Sequence, residues 1–315
     1  PLDAPSTPRK GAAVNALPPS PLAPWTAADG TPLWLKRDDL LPFPAAGNKV
    51  RKLYHELQGV DLTDRVLVTV GSVTSNHCRT SAMMAALGGG RAHLVLHGDT
   101  TASAGQRVAL SLLESMGATY DVVEPSAIAA CVHQRLLDLK DRAHFVYGGC
   151  HTEGGVRAYM AAVQELASQV GSAPDWIVHA SGTGATQAGL VAGVREAGWK
   201  TKVLGVSVAR GRERATAAIR EALEWVGHGG AEVLVDDTHL AGGYGQHDSR
   251  VRAAVADGWR RGVPLDHTYT GKAMAGLLSH LENGSVGGDV VFWHTGGLMT
   301  EVAHVIDGSA GGSHA

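Results

Sequence analysis

The sequence predicts an α/β protein built on two parallel sheets. Three observations carry this: short apolar, β-branched runs recur along the chain, segments of helical periodicity separate them, and glycine-rich turns follow several of the runs. The runs fall into two blocks, which implies two three-layer domains with a cleft between them. Ligands in such folds sit beyond the C-terminal ends of the strands.

Taken in order, the chain opens with an extended arm, because seven of its 13 prolines fall in the first 30 residues. Strands are expected at 66–73, 93–98, 119–125 and 144–149, all rich in Val, Leu or Tyr. A helix over 104–117 places Val108, Leu112, Leu113 and Met116 on one face. The second block repeats the scheme with strands at 175–182, 202–209, 232–237 and 289–297. Its helix near 155–170 carries Val156, Tyr159, Met160, Val163 and Leu166 at helical spacing. These patterns give a smaller domain over 50–155 and a larger one formed by 1–49, with the arm, and 156–315.

Composition narrows the function. The chain has 315 residues, 44% of them hydrophobic and 18% charged, enough apolar surface for a sizeable core. A net charge of −3 gives no reason to expect a nucleic-acid or anionic-membrane partner. No apolar run approaches the roughly 20 residues that span a bilayer, and no signal-peptide pattern opens the sequence. Three cysteines without CxxC spacing suggest a reduced, cytoplasmic setting.

The residues after the strands carry the chemistry. "SGTGATQAG" (181–189) follows one strand and enters a helix, where Gly182 and Gly184 allow a tight turn and free helix-start N–H groups to hold a phosphate. A dinucleotide fingerprint fails there, since its third glycine would be Gln187, and no Walker lysine follows. "TSNHCR" (74–79) puts Ser75, Asn76 and His77 at another helix start, where capping alone also explains Ser75 or Asn76. "GGYGQ" (242–246) offers Tyr244, "HTYTGK" (267–272) offers Tyr269, Thr270 and Lys272, and "HTGG" (294–297) offers Thr295. Sixteen histidines raise the question of a metal, but none has a second partner at ligand spacing, so no metal site is expected. No G-x-S-x-G elbow is present. "PAAGNKVRKL" (44–53) sets Lys49, Arg51 and Lys52 within four positions, either a solvated helix start or a reactive site.

In this order, "LKRDDL", "GNKVRKL", "SNHCR", "YGGCHTEGGVRAY", "SGTGATQAG", "YTGKAMAG" and "HTGG" resemble the family of D-cysteine desulfhydrases and 1-aminocyclopropane-1-carboxylate deaminases. These are pyridoxal-phosphate enzymes of fold type II, the tryptophan-synthase β-like fold, with the cofactor between two domains. The resemblance covers about residues 33 to 300. It implies that Lys49 holds pyridoxal 5'-phosphate as a Schiff base, Lys52 contacts its phosphate and Asn76 the ring oxygen. Gly182, Thr183, Gly184, Ala185 and Thr186 correspond to the phosphate loop. Ser75 faces the substrate, and Tyr244 and Tyr269 lie near it. Ser75, His77 and Tyr269 are candidates for moving the leaving group's proton. The deaminases carry Glu after the tyrosine of "YTGK"; here Thr270 stands there, and either Thr270 or Thr295 faces the pyridine nitrogen. A neutral partner makes the ring a weaker electron sink, which suits loss of a β-substituent better than ring opening.

The expected activity is therefore α,β-elimination from a small, even D-configured, amino acid such as cysteine or a β-substituted alanine, giving pyruvate and ammonia. Alternatives are β-replacement, deaminase-like ring opening, a cofactor-binding protein without turnover, and a nucleotide binder indifferent to Lys49. The resemblance also implies a homodimer. Arg51 is open between a helper and a surface residue, and "LLPFPAA" (40–46), with Phe43, between shaping the substrate mouth and stiffening a loop.

Overall fold

The structure, a computed structural model, describes residues 17–27, 29–41, 47–98 and 102–311. Most of the expected N-terminal arm and Phe43 with its flanking prolines lie outside these residues. The described residues divide into two compact units: Leu57–Gly149 with residues 303–311 and Leu17, and Pro18–Glu56 with Cys150–Val302. The units divide at 17/18, 56/57, 149/150 and 302/303, where the sequence pattern expects divisions only at 49/50 and 155/156.

The second unit begins with β1 (Leu22–Thr26), β2 (Pro32–Arg37) and α1 (Asn48–Glu56). The first unit follows with β3 (Val66–Ser72), α2 (Asn76–Leu87), β4 (Arg91–His97), α3 (Ala104–Ser115), β5 (Thr119–Val123), α4 (Ile128–Leu139) and β6 (Ala143–Phe145). The chain then returns to the second unit through α5 (Glu153–Gln169), β7 (Trp176–Ser181), α6 (Ala185–Glu196), β8 (Lys202–Ser207) and α7 (Arg212–Glu224). It closes with β9 (Leu234–Asp236), α8 (Ser249–Arg260), α9 (Thr270–Glu282), β10 (Val290–His294) and α10 (Leu298–Gly311).

In the first unit the strands order β5-β4-β3-β6, all parallel. β3 lies between two neighbours, and its Leu67, Val68 and Thr69 are buried, as a continuous apolar run in a parallel sheet requires. The expected strand at 144–149 stops at Phe145, because Gly148–Cys150 turns with Gly149 at φ 70°. α3 presents less apolar surface inward than its spacing suggests: Leu113 is buried, whereas Val108 is exposed. Asp307 of α10 accepts from Ser103 Oγ and Gly105 N at the start of α3.

In the second unit the order is β1-β2-β10-β7-β8-β9. Five strands are parallel, and β1 runs antiparallel to β2 at the edge. That edge is where Pro24 is tolerated, since an edge strand loses little when a donor is missing. Alternation across the sheet fills two layers. Ile177 and Trp293 pack with α5, α6 and α7, and Val178 and Phe292 pack with α8 and α9. Gly189 and Gly193, four apart on α6, let α5 come close; side chains there would run into Tyr159 and Val163. Among the described residues, no helix is long and apolar enough to cross a membrane.

Candidate active site

In the second unit, three of the glycine motifs converge on the start of α1. Gly47 bridges to Gly296, and Asn48 N donates to Thr295 O at 3.0 Å. A side chain at Gly47 would strike that carbonyl, so glycine is what permits the approach. Asn48 Nδ2 then donates to Thr186 Oγ1 at 3.2 Å, on the first turn of α6. "GNK", "HTGG" and the loop before α6 are thereby joined.

Lys49 and Lys52, three residues apart, share one face of α1. Lys49 is half-buried, and its pKa is pushed down to about 8 by burial, with Cys150 opposing weakly. Lys52 is 1% exposed and held well below the ordinary lysine range, first by burial and then by the Lys49 charge. Arg51 belongs to neither a solvated face nor this pair. It is buried, with Nε on Asp38 Oδ1 at 2.9 Å and both terminal nitrogens on Glu165 at 2.8 Å. Burial works against the Arg51 charge, but Asp38 and Glu165 more than offset it and raise its pKa. Tyr159 OH and Trp293 Nε1 donate to the other oxygen of Asp38, and Lys36 reaches Glu165 and Gln169.

The turn into α6 has the form of an anion cradle. Gly184 stands before the helix at φ 110°, against Ile219, and provides no side-chain cap. The N–H groups of Ala185, Thr186 and Gln187 therefore face outward from the helix end, where they and the helix dipole favour negative charge. Arg210 Nη1 donates to Thr183 O at 3.2 Å. Gln187, which breaks the dinucleotide pattern, is structural: its Nε2 donates to Leu234 O at 2.6 Å, and Gly205 leaves the room for it.

Tyr244 and Tyr269 meet hydroxyl to hydroxyl at 2.7 Å with their rings edge-on. The Tyr269 ring lies over Gly182. Thr270 is wholly buried: its hydroxyl donates to Asp266 Oδ1 at 2.7 Å and accepts from Asp266 N at 2.9 Å. Asp266 also accepts from the N–H groups of Thr268, Tyr269 and Thr270, and burial raises it to about 6 against those bonds. A side chain at Gly297 would collide with the Asp266 carboxylate. Thr295 is nearly buried within the same motif. Lys272, the other lysine in a glycine motif, donates to three main-chain carbonyls.

In the first unit, Ser75 caps α2, its Oγ accepting from Cys78 N at 3.3 Å. Asn76 Oδ1 accepts from Arg79 Nη2 at 2.6 Å. A side chain at Gly71 would meet Cys78 Sγ and Ser75 Oγ, so the close seat of the α2 start on β3 needs glycine there. His77 is buried with Nε2 2.7 Å from Thr69 Oγ1. The Thr69 hydroxyl donates to Val146 O, so it accepts the Nε2 proton of His77 and fixes that tautomer. The Cys78 thiol is pushed up to about 12 by burial despite its place at a helix start.

The sequence did not single out His151 or His179. His151 Nδ1 and His179 Nε2 are buried without a hydrogen-bond partner. Burial first, then Lys52, holds both rings down to about 4, with Arg210 and Lys49 adding to His151. A region of the second unit that combines buried lysines, neutral histidines and uncapped helix N–H groups fits a phosphate dianion, and Lys49 beside it fits an aldehyde. Both belong to pyridoxal phosphate. His151 followed the glycine pair of "YGGCH", and that was its one legible signal; His179 sits inside an apolar strand with none.

A family model described as "Pyridoxal-phosphate dependent enzyme" matches residues 15–296. The chain is 31% identical over 320 aligned residues to a D-cysteine desulfhydrase from Yersinia enterocolitica, covering 94% of this chain and 96% of that protein. A solved ACC deaminase homologue superposes with a TM-score of 0.78 at 29% identity, over 91% of this chain and 93% of that one. A fungal L-serine ammonia-lyase from Rhizomucor miehei superposes with a TM-score of 0.69 at 19% identity, over 94% and 98% of the two chains. The last likeness is one of fold.

Proposed function

The chain belongs to the pyridoxal-phosphate-dependent enzymes, and from that premise we propose that it performs α,β-elimination on a small β-substituted amino acid, D-cysteine being the first to test. The products are pyruvate, ammonia and the expelled β-group, hydrogen sulfide in the case of cysteine. The observation that carries this reading is the junction of Lys49, Lys52 and the α6 cradle through Asn48. Bound there, pyridoxal phosphate supplies an aldehyde for an amine and a ring that draws electrons from the α-carbon.

The residues divide the remaining work. A lysine near pKa 8 is neutral in about a tenth of molecules at pH 7, against about one in 2,500 at the ordinary value near 10.4. Lys49 would hold the cofactor's aldehyde through Nζ, and the same nitrogen would serve as the base for the α-proton. Lys52 and the N–H groups of Ala185 to Gln187 hold the phosphate, with Gly182, Thr183 and Gly184 shaping the turn. Thr295 is the better partner for the pyridine nitrogen, because the Thr270 hydroxyl proton is already given to Asp266. Asn76 bonds the ring oxygen, and Ser75 binds the substrate carboxylate or relays a proton. Tyr269, backed by Tyr244, protonates the leaving group. His77 serves the fold in this scheme, since Thr69 takes its Nε2 proton.

The neutral threonines favour elimination over ring opening, because an expelled thiolate carries its own electrons away and needs less from the ring. The three cysteines are free, as in a reduced cytoplasmic enzyme, and a homodimer goes with the same reading. The test is the visible spectrum of the purified protein before and after borohydride, with the adduct mapped by peptide mass. A pyridoxyl group on Lys49, followed by keto-acid release from D-cysteine, supports the reading. No absorbance band after added pyridoxal phosphate sinks it. Product analysis with added thiols separates elimination from β-replacement.

A further inference from the structure

Lys272 is wholly buried in the first turn of α9. Its Nζ donates to Val208 O just past β8 at 3.1 Å, to Leu240 O at 2.7 Å and to Gly243 O at 2.5 Å. An ammonium has three hydrogens, and here each has one carbonyl. Two of those carbonyls belong to the loop that carries Tyr244. That loop is costly to hold in one shape: Ala241, Gly242, Gly243 and Gly245 all have positive φ, at 50°, 94°, 116° and 74°. Charge-assisted bonds from a buried cation offset that cost where ordinary backbone bonds are few. On the same helix turn, Tyr269 stands three residues before Lys272, and its hydroxyl meets that of Tyr244.

We infer that Lys272 is a positioning residue, whose ammonium fixes the 240–245 loop against α9 and so sets the Tyr244–Tyr269 hydroxyl pair over the phosphate loop. One element then places both tyrosines: α9 carries Tyr269 directly and Tyr244 through Lys272. The two hydroxyls meet at 2.7 Å, and a loop shift of about 1 Å would break that contact. This inference rests on the elimination reading for its consequence in turnover, though not for its consequence in the loop.

The charge state of Lys272 gives a second handle. Its pKa is pushed down to about 8 by burial, against Asp266 and Asp248, which pull it up. Asp266 lies at the start of α9 and Asp248 at the start of α8. Opening the loop hydrates Nζ and returns Lys272 toward the ordinary lysine value near 10.4, so the open form takes up the extra proton and the closed loop should gain protection as pH rises through about 8.

The experiment is hydrogen exchange read by mass spectrometry on the cofactor-loaded wild-type protein, Lys272→Met and Lys272→Arg, alongside borohydride mapping and steady-state kinetics on D-cysteine. In Lys272→Met, protection over 240–245 should fall at least about tenfold while α8 keeps its own, and Lys49 should still take the pyridoxyl group. Its kcat should fall on the order of 100-fold with KM nearly constant, and Lys272→Arg should recover part of the loss. In the wild type, protection of 240–245, corrected for intrinsic exchange, should rise through pH 8 while α8 does not change. That series decides alone if neither variant folds. Unchanged loop protection in Lys272→Met, or a wild-type loop indifferent to pH from 7 to 9.5, would overturn the inference. A pyridoxyl group on Lys272 would overturn it together with the site. Failure of wild type to label at all would sink the functional reading and leave the exchange result to judge the tether.

Discussion

Replacing Arg51 by alanine removes a guanidinium that is 5% exposed and bonded to two carboxylates, Asp38 at 0% exposure among them. Asp38 keeps Ser20, Tyr159 and Trp293 as donors, yet its charge loses its cation in a medium where water cannot replace it. Breaking a buried pair from one side costs about 3 to 5 kcal/mol. With about 2 to 4 °C per kcal/mol for domains of this size, the melting temperature should fall by about 6 to 20 °C. Differential scanning calorimetry of the cofactor-free protein measures this without interference from ligand linkage. Arg51→Lys should lose somewhat less, since one ammonium cannot make both the Glu165 fork and the Asp38 bond. A loss below about 2 °C in Arg51→Ala would refute the argument, because it would mean that Asp38 either finds water or takes a proton at little cost.

Three further outcomes follow from the same geometry. The rate at which cofactor-free protein takes pyridoxal phosphate onto Lys49, followed by absorbance, should climb with pH and level off above about 8, the folded value of that lysine. A climb continuing to 10 would mean that burial does not depress it. Asp266 is raised to about 6 in the fold against about 3.9 in the open chain, so its contribution to stability is full below pH 4 and is lost by about pH 7. Denaturant titrations of wild type and Asp266→Asn should therefore diverge or converge by about 3 kcal/mol between pH 4 and 7; parallel curves would contradict the raised value. Gly184→Ala forces a β-carbon into a left-handed turn 3.1 Å from Ile219 Cγ1. Affinity for pyridoxal phosphate should fall roughly tenfold for the ~1–2 kcal/mol of strain, read by equilibrium dialysis, with inorganic phosphate weakened in parallel as competitor.

What the sequence made legible followed from burial and from glycine. Strands such as β3, β7 and β10 are buried on both faces, so they read as continuous apolar runs with turns behind them. The β1–β2 hairpin was hidden by its prolines, Pro24 on the edge strand β1 and Pro32 at the first position of β2, both places where a missing donor costs little. Site glycines announced themselves, yet not their reasons. Gly47 is required by Thr295 O and Gly297 by the Asp266 carboxylate, contacts made by residues distant in the chain. Arg51 misleads for the same cause. Its partners lie 13 and 114 residues away, and a basic residue beside two lysines looks solvated until those partners are placed. Asp266 gave no signal either, because three of its donors are main-chain N–H groups, which nearly every residue has, and the fourth is the Thr270 hydroxyl.

The nine residues of α1 show why the two kinds of residue belong together. A helix that short does not hold its shape in water on its own propensity. One face carries Lys49 and Lys52, both depressed by burial, with the Lys49 charge lowering Lys52 further. The opposite side carries Arg51, tied to Asp38 and Glu165, while Val50 and Leu53 enter the core. The ion network on one side thus holds in place a pair of like charges on the other that would otherwise drive the helix open. An anion bound at the α6 cradle would relieve that repulsion, so phosphate should raise the melting temperature of the cofactor-free protein, and raise it less in Lys52→Met. If phosphate stabilises both equally, the two lysines are not what the helix is strained by.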